Sequence, residues 1–158
     1  MDDGAAAAAR LAEAGAVIVA RVAATLPVWV EDRVAWIADA WGRLGPTERA
    51  ALDARARDVA TATTARVVDE LTRLFATAAA DQRSTPLEVV RSAARDVGAV
   101  LAAAGIPPVA RDEFHERSFP DDPYGVTPAS LADLGDPDLG PWQLAWGLAK
   151  AQVLRAAG

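Results

Sequence analysis

The chain has 158 residues, no cysteine and a formal net charge of −6. At this length one domain buries roughly two-thirds of its unfolded surface, so its core needs no disulfide or metal support. The absence of cysteine excludes disulfides, zinc-thiolate sites and thiol catalysis, and it fits a reducing compartment. The acidic balance argues against nucleic-acid and anionic-membrane partners, because both are bound by clustered cations.

The first residues do not predict a secretory signal. Asp2 and Asp3 stand where a secretory signal would carry positive charge. The longest uninterrupted apolar stretch that follows, residues 14–20, is much shorter than the about 20 residues that cross a bilayer. We therefore expect a cytoplasmic protein with no membrane partner.

The first half of this alanine-rich chain predicts three successive helices. Apolar residues repeat every three or four positions over residues 4–24, the first helix. Pro27 is predicted in the first turn of a second helix over residues 28–44, because a proline there loses no hydrogen bond. The Gly-Pro pair that follows ends that helix and begins a third, over residues 46–80.

A capping box marks the start of the next helix. Thr85 can accept a hydrogen bond from the Glu88 amide while the Glu88 side chain returns to the cap, and Pro86 fits the first turn. Gly105 is the expected left-handed terminator of that helix, and the prolines after it prevent continuation.

The chain changes character after Pro108. We expect one or two helical turns over residues 111–117 with Phe114 facing the core, another short turn over residues 129–134, and a last helix over residues 141–156. No segment alternates apolar and polar residues as a strand does.

These elements predict a single all-α domain over residues 1–158, a bundle of about five helices with an irregular C-terminal arm packed across it. Residues 1–105 form the body of the bundle and residues 106–140 form the arm with its short helical turns. Residues 141–156 form the final helix, which packs back on the bundle.

His115, the only histidine, lies among several carboxylates. An imidazole with carboxylates is the usual composition of an acid–base or metal site. No second histidine stands at metal-binding spacing, so we favour a solvent-exposed histidine on a charged turn. Asp133, Asp136 and Asp138 lack the spacing of a calcium loop and are predicted to cap helices. We therefore expect no metal.

Two groups of tryptophans could bind or could simply pack. Trp142, Trp146 and Lys150 are spaced by four on one helical face, either as a stacking platform for an anionic ligand or, as we favour, as two core indoles with a lysine at their edge. Trp29 and Trp36 are either covered by the C-terminal arm, which we favour, or exposed as a patch for a partner or a second copy. Gly147 would let another backbone approach closely.

Known catalytic devices are missing from the sequence. It has no phosphate-binding glycine loop, no Gly-x-Ser-x-Gly elbow, no cysteine nucleophile and no histidine pair. We predict no catalytic residue and no cofactor, and we favour a role without catalysis.

The last third of the chain resembles a family of small actinobacterial proteins of unknown function. The shared features are the Arg-Asp-Glu-Phe turn that ends at Phe114, the Phe-Pro-Asp-Asp path that ends at Asp122, and the Trp-Gly-x-Ala-Lys-Ala segment that begins at Trp146. Pro123 and Gly125 flank the tyrosine, where that family is less constrained. The resemblance implies an all-helical protein and supplies no catalytic residue.

Two functions of different classes remain. The first is a cytoplasmic protein that binds another protein through the arm or through the side of Trp29 and Trp36. The alternative is a small-molecule protein that binds an anionic metabolite between bundle and arm. Its predicted contacts are Arg111, His115, Tyr124, Trp146 and Lys150.

Overall fold

The structure is a computed structural model that describes residues 3–158. Those residues are all-helical, as predicted, and contain no β-strand. Two 3₁₀ turns, η1 and η2, interrupt the series of α-helices. In chain order the elements are α1 Asp3–Trp41, α2 Pro46–Ala76, η1 Ala79–Asp81, α3 Pro86–Arg91, α4 Ala93–Ala103, α5 Glu113–Ser118, η2 Leu131–Leu134 and α6 Leu139–Ala157.

The first two predicted helices are one helix, and the predicted break at Pro27 is wrong. Pro27 lies inside α1, whose 39 residues extend about 58 Å at ~1.5 Å per residue. A proline inside a helix removes one backbone hydrogen bond and costs about 3 kcal/mol. Buried side chains nevertheless continue on both sides of it, from Val22 and Leu26 to Trp29 and Val30. Burial of this continuous stripe outweighs the cost of the proline.

The second long helix, α2, folds back along α1. The Arg49 guanidinium forms ion pairs with Asp39 near the end of α1 and with Asp53 on α2. Near the other end of the hairpin, the ring of Phe75 lies against Gly15 of α1. The helix ends at Ala76, four residues before the predicted end, and η1 follows.

The predicted capping box is present in part, and the helix it starts is interrupted. The Thr85 hydroxyl accepts a hydrogen bond from the Glu88 amide at 3.2 Å, as predicted. The Glu88 carboxylate, however, accepts from the Thr85 hydroxyl and not from the Thr85 backbone amide. Ser92 separates α3 from α4 because its hydroxyl donates to the Val89 carbonyl at 2.6 Å. If α3 and α4 are counted as one interrupted helix, the described residues form five α-helices, as expected. Gly105 ends the pair with a φ of 79°, as predicted.

The last helix packs antiparallel to α1. Arg10 near the start of α1 donates to Gln152 near the end of α6 at 2.7 Å. Arg21, eleven residues further along α1, pairs at 2.9 Å with Asp136, just before α6 begins. Because α2 and α6 both pack along α1, the core runs along the length of that helix.

The short helix α5 is present, but its predicted inner residue is wrong. The Asp112 carboxylate accepts the His115 amide at 2.7 Å, so the helix begins at Glu113. His115 faces inward, where its Nε2 lies 2.9 Å from the buried Asp122 carboxylate, and the Phe114 side chain is 73% exposed. The predicted orientation of this short helix was wrong because a contact with a distant residue, not the local hydrophobicity, decides which side of the helix is covered.

Candidate functional site

Asp122 is the centre of the irregular arm. Its side chain is buried, and its Oδ2 accepts hydrogen bonds from the Thr127 amide at 2.8 Å, the Thr127 hydroxyl at 2.7 Å and His115 Nε2 at 2.9 Å. Burial raises the pKa of Asp122, but the hydrogen bonds from the Thr127 hydroxyl and amide, the Val126 amide and His115 together outweigh it and lower that pKa below its usual value. Asp122 is therefore held as a buried carboxylate.

Arg111 and Tyr124 hold the backbone of the same arm. Arg111 Nη1 donates to the carbonyls of Phe119 at 2.9 Å and Asp122 at 2.8 Å. The buried Tyr124 hydroxyl donates to the Ile106 carbonyl at 2.5 Å, and burial raises the pKa of that phenol. Each predicted ligand contact on the arm is thus already bonded within the arm.

His115 is half-buried, so its predicted exposure on a charged turn is wrong. The side chain is 19% exposed, and its ring lies 5.1 Å from that of Phe119. The signal that sequence reasoning missed is Asp122, seven residues away along an irregular path that no periodicity describes.

The two remaining predicted ligand residues lie in a different part of the molecule. Trp146 is buried with its ring 6.1 Å from that of Phe75, and the Lys150 ammonium lies 5.2 Å from the Trp146 ring centroid. The Tyr124 ring lies against Gly98 of α4, two residues after Asp96, which pairs with Arg66 of α2. Phe75 lies nine residues, about 14 Å, further along α2 than Arg66. The single site predicted from Arg111 to Lys150 is therefore wrong, because these residues form two separate clusters.

The predicted pair of partner-binding tryptophans is also divided. Trp29 is buried, with 4% of its surface exposed, so its role as a surface contact is wrong. Trp36 is 59% exposed, and the Arg33 guanidinium lies 5.1 Å from its ring centroid. The prediction that the C-terminal arm covers both tryptophans is therefore wrong for Trp36. Seven residues are nearly two full turns, so Trp36 lies only about 20° round the helix from Trp29, and the difference in exposure comes from what packs against each position.

A cleft separates the arm from α3 and α4. Its volume is about 220 Å³, and its lining includes Arg95, Ser118 and Asp122. The neighbouring Arg91 closes one side, since it donates to the carbonyls of Pro128 and Ala129 and lies over the ring of Phe119. The exposed Arg95 guanidinium has no hydrogen-bond or ion-pair partner among residues 3–158.

The outward side of α6 is the feature that sequence reasoning missed. Of the six large apolar side chains exposed within residues 3–158, three lie on this one helix, with Leu144 64%, Leu148 58% and Leu154 39% exposed. Gly147 lies between the first two, and a Cβ added there would meet nothing within 4 Å. We call this surface the α6 outer face; it comprises Leu144, Gly147, Leu148, Ala151 and Leu154.

The opposite side of α6 is apolar as well. Leu139, Trp146 and Ala149 are buried there against the bundle. A helix that is apolar all round is normally covered on all sides. Leu144 and Leu148, spaced by four on the side opposite Trp142 and Trp146, carry this signal in the sequence.

Within the described part of the chain, no three His, Asp or Glu side chains are grouped so that they could hold a metal ion. One helix, α1, contains an 18-residue stretch with a mean hydropathy of 1.6, enough by length and composition to cross a membrane. A core helix of a globular protein meets the same test, and the apolar stripe of α1 packs against α2 and α6.

Comparison with known proteins found no match to any family model, curated protein or solved structure. The resemblance of the last third to actinobacterial proteins stays a prediction.

Proposed function

We propose that this chain is a non-enzymatic helical protein that acts by binding another protein, and that it binds through the α6 outer face. One observation carries the proposal: α6 is apolar on both sides, yet only the inner side is covered. The proposed compartment is the cytoplasm, on the strength of the cysteine-free composition.

The energetics favour coverage of this surface. Complete burial of a leucine side chain is worth about 2 kcal/mol, so exposed leucines one helical turn apart favour association. Monomeric proteins expose few contiguous apolar patches, and those patches commonly mark interaction sites. Of the other exposed large apolar side chains, Phe114 lies alone on α5, and Val28 and Trp36 lie eight residues apart on α1, where the Arg33 guanidinium lies 5.1 Å from the Trp36 ring centroid.

The arm residues support a role other than catalysis. His115 and Asp122 resemble an acid–base pair, but Asp122 Oδ2 already accepts from Thr127 as well. That arrangement stabilises a turn, and no nucleophilic side chain is bonded to the imidazole within the described residues. The arm is therefore proposed to hold α6 in place and present its outer face.

A photo-crosslinking amino acid introduced at position 148, in the cells that naturally produce this protein, tests the proposal directly. We expect a protein adduct from position 148 and none from position 114, whose native phenylalanine is exposed on α5. Illumination that yields no adduct at 148, or equal adducts at both positions, would contradict binding through α6.

The cleft beside the arm favours a second candidate function, the binding of a small anionic metabolite. The support is the exposed, unpaired Arg95 guanidinium beside the Ser118 hydroxyl in a cleft of about 220 Å³. Glu88 and Asp121 also line it, so a matching ligand carries a hydrogen-bond donor besides its anionic group.

Thermal-shift measurements over a panel of anionic metabolites test this second function. A ligand that binds the cleft should raise the melting temperature of the wild type and of Lys150→Ala, whose lysine lies in the other cluster, but not of Arg95→Gln. An equal rise in all three proteins, or no rise in any, would rule the cleft out as the site.

A further inference from the structure

A second, larger cleft adjoins the cleft beside the arm. Its volume is about 790 Å³, and Arg95 and Asp121 line both spaces, so the two meet at this pair of side chains. We call the second space the apolar groove. Besides the shared pair, its lining residues are Gly98, Ala99, Ala102, Gly105, Ile106, Pro108, Pro123 and Tyr124. A ligand held at Arg95 can therefore extend from the first cleft into the groove.

The floor of the apolar groove is one side of α4. Gly98, Ala99 and Ala102 lie on the same side of the helix as Arg95, and none of the three has a side chain larger than a methyl group. The helix rises about 10 Å between Arg95 and Ala102. Because Ala99 and Ala102 are exposed, an apolar chain laid along them removes apolar surface from water.

The arm forms the opposite wall, and hydrogen bonds hold that wall in place. The Val109 amide donates to the Pro123 carbonyl at 3.1 Å, and the Tyr124 hydroxyl donates to the Ile106 carbonyl at 2.5 Å. A Cβ added at Gly98 would lie 3.6 Å from the Tyr124 ring, so this ring packs on the floor. Since its hydroxyl is already bonded, Tyr124 presents an apolar ring to the groove. The groove therefore suits an apolar group everywhere except at the end that it shares with the first cleft.

We infer that the first cleft and the apolar groove together bind a carboxylic acid that carries a hydroxyl group and an apolar tail, of the class of the 3-hydroxyalkanoic acids. The inference rests on the second candidate function, since it names the chemical class of the ligand for the same cleft. The unpaired Arg95 guanidinium binds the carboxylate, the exposed Asp121 carboxylate accepts a hydrogen bond from the hydroxyl, and the tail lies in the groove.

Charge favours a singly charged head group. Glu88 and Asp121 line the first cleft together with Arg95, and Arg91 already donates to two backbone carbonyls. A doubly charged phosphate would be repelled by the two acidic side chains, whereas a single carboxylate matches the one unpaired guanidinium.

The ring of Tyr124 reports on the groove, because Tyr124 is the only tyrosine of the chain and lines that space. NMR of the full-length protein with ring-labelled tyrosine can follow titrations with 3-hydroxyoctanoate and with 3-hydroxybutyrate, which has the same head group and a shorter tail. We expect 3-hydroxyoctanoate to shift the Tyr124 ring resonances and to bind about tenfold more tightly, because each added methylene becomes buried. Equal affinities would overturn the inference.

Two alanines of α4 test where the tail lies. Ala102→Phe fills the groove, whereas the neighbouring, exposed Ala103 faces a different cleft beside α2, so Ala103→Phe is the matched control. We expect Ala102→Phe to reduce the affinity for 3-hydroxyoctanoate to that for 3-hydroxybutyrate and Ala103→Phe to leave both affinities unchanged. Equal effects of the two substitutions would show that the tail does not lie in the groove.

The head group is tested separately. Arg95→Gln should weaken both ligands about tenfold, because the charged hydrogen bond to the carboxylate is lost. Octanoate, which has the same tail and no hydroxyl, should bind the wild type several-fold more weakly than 3-hydroxyoctanoate. Octanoate that binds as tightly would overturn the assignment of the hydroxyl to Asp121.

The inference and the function on which it rests fail in distinguishable ways. If a short anion stabilises the wild type and not Arg95→Gln, but a longer tail adds no affinity, the inference is overturned and the binding of a small metabolite stands. If no anion of the thermal-shift panel stabilises the wild type and 3-hydroxyoctanoate does not bind, both are overturned.

Discussion

Hydrogen bonds at Asp122 outweigh the cost of burying its charge, and this balance makes stability depend on pH. The pKa of Asp122 in the folded protein is lower than in the unfolded chain, where it is about 3.9. Its contribution to stability is therefore present above about pH 4 and is lost as the pH falls through the lowered folded-state pKa. The Asp122 carboxylate fixes His115 and Thr127 through hydrogen bonds. These three residues lie on an irregular stretch of chain, so no helical or strand periodicity in the sequence could predict that they meet.

Asp122→Asn should destabilise the protein at neutral pH by about 1 to 3 kcal/mol, because a buried charged acceptor is lost. It should also flatten the decline in stability below about pH 4, since the titrating group is gone. Urea unfolding at pH 7 and at low pH measures both effects. The neighbouring, exposed Asp121→Asn is the matched control and should change neither. Equal behaviour of the two variants would show that Asp122 is not the centre of the arm.

At the scale of the element, the sequence predicted helices well and their junctions less well. The Thr85 cap and the Gly105 terminator are local signals, and both are at the predicted positions. Pro27 carries the same local signal as a helix start, but whether a helix restarts or continues depends on burial against α2 and α6. That burial is a tertiary property, which is why two predicted helices are one.

Pro27→Ala should stabilise the protein by about 1 to 3 kcal/mol. Alanine restores the backbone hydrogen bond that proline removes inside α1. Pro46→Ala is the control, because Pro46 lies in the first turn of α2, where an amide has no helical partner. Chemical denaturation of both variants gives the two free energies of unfolding. A Pro27→Ala variant no more stable than Pro46→Ala would mean that α1 accommodates the proline at no cost.

At the scale of the whole molecule, the arm and α6 complete the core. The all-α class follows from composition and periodicity, but the division of the predicted site into two clusters does not. Tyr124 and Trp146 are close to other rare residues in the sequence, but in the folded chain they lie in separate parts of the bundle. The side chains beyond Gly105 that belong to the main hydrophobic core are Ile106, Tyr124, Val126, Leu131, Leu134, Leu139 and Trp146.

A fragment that ends at Gly105 should not melt cooperatively and should aggregate. It lacks these core side chains, each worth about 1.5 to 3 kcal/mol when fully buried, and their sum exceeds the stability of a typical domain. Calorimetry and light scattering measure both properties. Removal of only residues 155–158, which are exposed, is the control and should leave the melting temperature nearly unchanged. A fragment that melts cooperatively at the full-length temperature would show that the arm is not part of the core.

The central claim is that the exposed leucines of α6 become buried when the protein associates. Methyl NMR of the isotope-labelled protein inside the cells that produce it, compared with the dilute purified protein, measures this most directly. We expect the methyl resonances of Leu144 and Leu148 to shift in the cells, while those of the buried Leu71 in α2 stay constant. Methyl spectra that are the same under both conditions, or shifts at Val28 with none on α6, would contradict it.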